Sequence, residues 1–363
     1  MSNICFFNSA IEWGGGEKWH FETSLYMHKK GHNVIVIAHV NSVLIKKLEE
    51  NNIPCIGLNI NNLSFINPLK IYRIKKYLIK INIETIIINL SRDLKIAGIA
   101  AKKAKTRRII YRRGSAIPIK NNFLNRFYFK NIITDILANS IATKKTILEN
   151  NKYLFPENKI KVIYNGLDID LFVNNKVSPL IPDKKNDKIT LINLGRLEYQ
   201  KNQKFLIYVA QELKKREMQF RILIGGEGSL RNELQQLTKE LEVTQEVEFC
   251  GFIDNPKAFM LSGDIFLLPS HWEGFGYVLA EASLCKKPIV AFNLSSNPEV
   301  VINKKTGILT ATQDIKAFCN AIVKLSKDSK LQYEMGLQGS YFIRKTFDKN
   351  LILSKIEKYL LNE

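Results

Sequence analysis

The chain has 363 residues, 45% hydrophobic and 24% charged, the composition of a folded soluble protein long enough for two domains. No apolar run approaches the roughly 20 residues of a membrane-spanning helix. Five cysteines, scattered from Cys5 to Cys319, form no CxxC pair and no zinc pattern with histidine, so they read as reduced thiols of a cytoplasmic protein. The net charge of +20 is concentrated in one half: residues 1–175 carry 27 Lys+Arg against 12 Asp+Glu, and between residues 70 and 130 only Glu84 and Asp93 oppose 17 basic residues. A field so one-sided implies an anionic partner, whether a membrane surface, an acidic lipid or a nucleic acid.

In chain order, Ile4-Cys5-Phe6-Phe7 reads as a first strand rather than the core of a signal peptide. Trp13-Gly14-Gly15-Gly16-Glu17-Lys18 follows, ahead of a helix over residues 17–30 that Gly31 ends. Glycines between a strand and a helix start let an anion approach free backbone N–H groups, although such turns also occur for steric reasons alone. A strand at 34–37 comes next. Within residues 65–82, Ile71, Ile74, Leu78 and Ile81 form one helical stripe flanked by Lys70, Arg73, Lys75, Lys76 and Lys80. That stripe suits either an interfacial helix on anionic lipid or a core-facing helix with a basic outer side. Strands are predicted at 85–88, 108–111, 136–138 and 161–164. After the first of these, Asn89-Leu90-Ser91-Arg92-Asp93 places Asp93 either towards an acceptor or in a helix cap. Asn165-Gly166 turns the chain out of this half.

A polar stretch over residues 174–188 reads as a linker. The strand–helix alternation then restarts, with strands at 190–194, 220–224, 248–250, 264–268 and 288–292, the pattern of parallel α/β sheets. Two such halves predict a ligand cleft between domains. After the first of these strands, Gly195-Arg196-Leu197-Glu198-Tyr199-Gln200-Lys201-Asn202 brings a guanidinium and an ammonium to one turn, the pair that a leaving diphosphate needs. Cations are disfavoured at a helix start, so a purely structural role explains them poorly. Gly225-Gly226-Glu227-Gly228 is a further glycine junction, where Glu227 serves the ligand or pairs locally. The most informative segment runs from Pro269 through His271-Trp272-Glu273-Gly274-Phe275-Gly276-Tyr277-Val278 to Glu281. Its two glutamates, eight residues apart, bracket a glycine loop that enters a helix. Glu281 would grip hydroxyls such as a ribose diol, Glu273 would lie nearer a sugar, and the amides of Gly276, Tyr277 and Val278 would face phosphates.

Taken in this order, Gly14 to Glu17, Asn165 to Asp168, Gly195-Arg196 with Gln200-Lys201, Gly225 to Gly228, Gly251-Phe252, and Glu273 to Glu281 resemble family GT4 (group 1) of the GT-B retaining glycosyltransferases. The resemblance implies an α/β fold of two Rossmann-like parallel-sheet domains facing each other across a cleft. Residues 1–175 would bind the acceptor and 176–346 the nucleotide-sugar, with 347–363 forming a helix that crosses back to the first domain. It assigns Arg196 and Lys201 to the donor diphosphate, Glu281 to the ribose and Glu273 to the transferred sugar, with Ile253 and Tyr277 around the base. Gly15, Gly16, Gly226, Phe275, Gly276 and Val278 complete the donor set. Relatives carry a histidine near the strand that here ends Tyr111-Arg112-Arg113-Gly114, so histidine chemistry gives way to phosphate binding by Arg113. Asp93 joins it on the acceptor side.

The implied reaction is hexosyl transfer with retention from a nucleotide-diphosphate sugar to a glycan or lipid-linked acceptor, in cell-surface polysaccharide or lipopolysaccharide synthesis. No metal or other cofactor is expected, because Arg and Lys take a metal's role. With the charge asymmetry, the chain is expected at the inner face of an anionic membrane. The alternatives are a GT-B epimerase, which would turn over nucleotide-sugar without an acceptor, a phosphorylase, which would require free phosphate, or a basic nucleic-acid-binding protein. The last lacks the interleaved aromatic platforms such binding uses.

Overall fold

The computed structural model describes residues 2–181 and 188–361. The chain forms two compact units, Met1–Gly166 with Lys349–Glu363, and Leu167–Asp348. The first change of unit falls at Gly166/Leu167 rather than at 175/176. Lys257 explains the difference: its Nζ donates to the carbonyls of Phe172, Val173 and Asn175 at 2.8, 2.8 and 2.7 Å, tying this stretch into the second unit. The expected linker over residues 174–188 is likewise bonded at Leu180, whose N–H donates to the Ala258 carbonyl, while its residues 182–187 lie outside the described residues. The return falls at Asp348/Lys349 instead of 346/347, because Leu167 N–H donates to the Phe347 carbonyl at 2.8 Å and Leu167 bridges Asp348.

The first unit holds a seven-stranded sheet. Its strands are β1 (Asn3–Asn8), β2 (Asn33–His39), β3 (Cys55–Leu58), β4 (Thr85–Ile88), β5 (Arg108–Arg113), β6 (Asp135–Ala138) and β7 (Ile160–Val162), in the order β3-β2-β1-β4-β5-β6-β7. All pairings are parallel. Both faces are covered, so successive residues of β1 supply opposite cores. Cys5 and Phe7 pack with Ile86 and Ile88, while Ile4 and Phe6 pack with Ile87 and Trp19. The helix Lys349–Leu361 joins the second of these cores through Ile352, Leu353, Ile356 and Leu360. Two of its last carbonyls, on Tyr359 and Leu360, accept from Arg108 Nη1 at 2.8 and 3.0 Å, satisfying groups that a helix end leaves open.

The helix Pro68–Lys80 begins at Asn67, whose side chain accepts from Lys70 N–H, with proline at its first position. Ile71, Ile74 and Leu78 are buried in the first core. The stripe is therefore core-facing, and an interfacial role through these residues is excluded. The outer side is unusual: Leu69, Tyr72 and Ile79 are 68, 52 and 54% exposed beside Arg73, Lys75, Lys76 and Lys80.

The second unit holds β8 (Ile189–Leu194), β9 (Phe220–Gly225), β10 (Val247–Gly251), β11 (Ile265–Leu268), β12 (Ile289–Phe292) and β13 (Gly307–Thr310), in the order β10-β9-β8-β11-β12-β13. These pairings are parallel too. In each sheet the order reverses beside the first strand, between β1 and β4 and between β8 and β11. Loops leaving the strand ends at such a point diverge and open a crevice.

Candidate functional site

In the second unit the crevice belongs to the loops after β8 and β11. Lys201 and Glu273, 72 residues apart in sequence, meet there with Nζ and Oε1 at 2.7 Å. Their side chains are 16% and 7% exposed, so the pair is sheltered and its geometry fixed from both sides. On the Lys201 side, the left-handed Asn202 (φ 53°) donates to the Pro269 carbonyl at 3.0 Å, and Gln200 Nε2 to the Trp272 carbonyl at 2.9 Å. On the other, Ser295 Oγ accepts from Glu273 N–H at 3.2 Å and donates to the Glu273 carbonyl at 2.6 Å, and Ser296 Oγ donates to the same carbonyl. Arg196 stands exposed on the same loop, its carbonyl held by Gln203 Nε2 at 3.0 Å.

Glycines let the neighbouring loop lie against this one. Gly226 has φ +130°, and a Cβ there would overlap the Gly195 carbonyl oxygen; one on Gly228 would overlap that of Leu197. Glu227, in the loop, pairs with Arg231, the first residue of the helix Arg231–Glu240. Gly276 caps the helix Tyr277–Leu284 in the left-handed conformation, φ 82°, and its carbonyl accepts from the N–H groups of Leu279 and Ala280 at 3.0 and 3.4 Å. Phe275 differs from expectation: its ring is 2% exposed and packs edge-on against Tyr277 and Phe347 at 5.2 Å each. Ile253 is buried against Gly225, whereas the adjacent Phe252 is 73% exposed. Glu281 is half-buried on the Tyr277–Leu284 helix. Tyr199 stacks on His271 with centroids 4.6 Å apart, and burial pushes the His271 imidazole down. Neither ring was singled out from sequence, because stacking between distant loops leaves no local pattern.

In the first unit the helix Gly15–Lys29 starts from Gly14 without a side-chain cap, leaving its first amides to a ligand or water. Asn89 Nδ2 lies where a Gly16 Cβ would fall, 2.6 Å away. Asn8 Nδ2 donates to Glu17 Oε1 at 2.9 Å, and Asn8 Oδ1 accepts from Ala10 N–H. Asp93 is turned into the core. It is fully buried and accepts from Ser9 N–H at 2.9 Å and from Ser9 Oγ, while Arg92 donates to Ser9 Oγ and to its carbonyl. Burial pushes the Asp93 carboxyl up to about 6 against those hydrogen bonds. Its work is to fix the residue that begins the glycine loop.

Of the two adjacent arginines, Arg112 is the buried one. It donates to Asn89 and Asn165, both at 3.0 Å, and its guanidinium lies 4.4 Å from the Trp19 ring centroid. His20 beside it is wholly buried, and burial together with the Arg112 charge pushes its imidazole down to about 3. Arg113 points elsewhere, towards Tyr111 Oη at 3.5 Å and the Ile117 carbonyl at 2.6 Å.

Residues 13–171 match the model of glycosyltransferase family 4, and residues 178–340 that of the group 1 glycosyl transferases. The chain belongs to this glycosyltransferase family. The glycosyltransferase is 28% identical over 232 residues to the capsular polysaccharide biosynthesis glycosyltransferase CapM of Staphylococcus aureus, covering 62% of this chain and 60% of that one. It is 27% identical over 304 residues to the N-acetylgalactosamine-N,N'-diacetylbacillosaminyl-diphospho-undecaprenol 4-alpha-N-acetylgalactosaminyltransferase of Campylobacter jejuni, covering 81% and 80%. The chain thus spans less than two thirds of the first relative and four-fifths of the second. Among solved structures, Anabaena HepE in complex with UDP is similar with TM-score 0.84 and 22% identity, over 99% of this chain and 100% of that one. This glycosyltransferase has the GT-B fold. Among its described residues, no helix is long and apolar enough to cross a membrane.

Proposed function

We propose that the chain transfers a sugar, with retention of anomeric configuration, from a nucleotide-diphosphate sugar to a glycan or lipid-linked acceptor in cell-surface polysaccharide synthesis. The observation that carries this reading is the sheltered Lys201–Glu273 pair at the β8/β11 reversal, with Arg196 on the same loop and the start of the helix Tyr277–Leu284 on the loop that carries Glu273. Such a place suits a group whose negative charge grows as a bond breaks. Lys201 and Arg196 stabilise the departing diphosphate, and the amides of Gly276, Tyr277 and Val278 add the helix dipole. Glu281 takes the ribose hydroxyls, and Glu273, held by both serines, positions the sugar. The anomeric C–O bond to phosphate breaks while the acceptor oxygen bonds the same face, and its proton passes to the leaving phosphate. Arg196 and Lys201 then serve where another enzyme would use a metal ion.

The acceptor side is the basic first unit. The exposed Leu69, Tyr72 and Ile79, with Lys75, Lys76 and Lys80 around them, support docking on anionic lipid through the outer side of the Pro68–Lys80 helix. On this reading the enzyme works at the inner face of a membrane. The names of the relatives support polysaccharide or lipid-linked glycan as product.

The reading is tested by screening UDP-, GDP- and ADP-sugars for thermal stabilisation, since a ligand bound only by the native state raises stability. The stabilising sugar is then offered with candidate acceptors, and the product's anomeric configuration is read by NMR. Stabilisation by one donor class and a retained anomer are expected. An inverted anomer, or no stabilisation by any donor, would contradict the proposal.

A further inference from the structure

A cavity of about 290 Å³ lies wholly within the first unit beside the ends of β4 and β5. Its volume is near the lower end for small-molecule sites. Arg113, Lys95 and Lys120 line it with the hydroxyls of Ser91 and Tyr111, which lie 3.2 Å apart, and no acidic residue does. Arg113 Nε is buried there with no hydrogen-bond partner. Among the described residues, none of the three cations forms an ion pair with a carboxylate. Lys95 is brought in by an irregular helix: Ser91–Asp93 is α, Leu94–Gly98 is π, and Ile99–Lys103 is α again. A π segment shifts the side chains that follow it and recurs at functional sites. Here Asp93 is turned into the core while Ser91 and Lys95 reach the cavity. Asn122, Leu124 and Asn125 line one side of the cavity, and Phe123 beside them is 77% exposed.

Three cations without carboxylates, an arginine nitrogen without a partner and two hydroxyls make a receptor for a multiply charged oxyanion. The exposed Phe123 and Leu124 beside the cavity suit a hydrocarbon next to that anion. We infer that this cavity binds the phosphoryl group of the acceptor, a phosphorylated sugar joined to an apolar chain. The inference rests on the glycosyl-transfer reading for the word acceptor, but the anion site stands on its own residues.

The test uses the full chain with inorganic pyrophosphate as probe, titrated calorimetrically into an Arg196→Gln/Lys201→Gln background that removes the other anion site. Pyrophosphate binding is expected to persist there and to weaken at least tenfold on adding Arg113→Gln and Lys120→Gln. Arg113 also holds the Ile117 carbonyl, so Lys95→Gln/Lys120→Gln provides a second variant that spares this contact. Undiminished pyrophosphate affinity in both would overturn the site. UDP, GDP and ADP, titrated in turn into the wild type and the Arg196→Gln/Lys201→Gln variant, report separately on the donor reading, which fails if nucleotide binding is equal in the two. Vesicles of phosphatidylcholine with one-tenth phosphatidic acid separate the sources. Sedimentation that drops with the cavity substitutions assigns a lipid-borne phosphate. Pyrophosphate binding without vesicle binding retains the anion site and overturns the apolar-chain part of the inference.

Discussion

Two residues with no sequence proximity, Lys201 and Glu273, are held 2.7 Å apart by hydrogen bonds to the backbone on either side of them. Both stood out in the sequence because an Arg/Lys pair and a glutamate lie in glycine-containing loops after strands, where a helix start disfavours cations. Asp93 and Phe275 were legible only as positions. Burial decided their roles, and no local pattern distinguishes a carboxylate that fixes Ser9 from one that meets a ligand. His20 is the clearest residue-scale case for measurement. Its imidazole titrates near 6.5 in an unfolded chain and about 3 when folded, so below pH 6.5 the unfolded state binds a proton the native state refuses. The stability it provides is complete above pH 6.5 and is lost as pH falls through the window down to about 3, at roughly 1.4 kcal/mol per pH unit. Asp93 runs in the opposite sense, its raised value costing stability as pH rises from 3.8 to about 6, and it is common to both chains compared. Between pH 7.5 and 5.5 the unfolding free energy of the wild type should fall about 1.4 kcal/mol more than that of His20→Gln, measured by urea denaturation. Equal falls would mean the ring protonates within the fold.

At the scale of elements, the central strands were readable from their apolar runs, and so were the edge strands β7 and β10, whereas the edge strands β3 and β13 were not. β3, with sequence Cys-Ile-Gly-Leu, and β13, with Gly-Ile-Leu-Thr, are edge strands only partly buried, so neither needs a continuous apolar run. The Pro68–Lys80 helix was readable as amphipathic, but its period could not say which side was covered. Packing gives Ile71, Ile74 and Leu78 to the core and leaves a second apolar strip with basic flanks outside. Neutralising Lys75, Lys76 and Lys80 to Gln should lower co-sedimentation with anionic vesicles by on the order of tenfold to a hundredfold, given about 1 kcal/mol per cation near such a surface. High salt should act in the same direction. Binding indifferent to both would remove this helix from the membrane contact.

For the whole molecule, the two sheets repeat one plan with different chemistry at their order reversals. The second places a paired lysine and glutamate there with an exposed arginine. The first places a buried polar cluster that shapes a glycine loop, with the cationic cavity on its other side. Part of the positive charge in residues 1–175 gathers at two places, the outer side of the Pro68–Lys80 helix and the cavity beside β4 and β5. The uneven charge was plain in the sequence, while its division between them depended on a π segment that no sequence period reveals. The central claim is that the Lys201–Glu273 pair serves sugar transfer, and the initial transfer rate of Lys201→Ala and Glu273→Ala tests it most directly, with circular dichroism confirming that each is folded. Each variant should lose about a hundredfold or more, the cost of removing one preorganised group that meets developing charge. Rates near wild type in both would contradict the account.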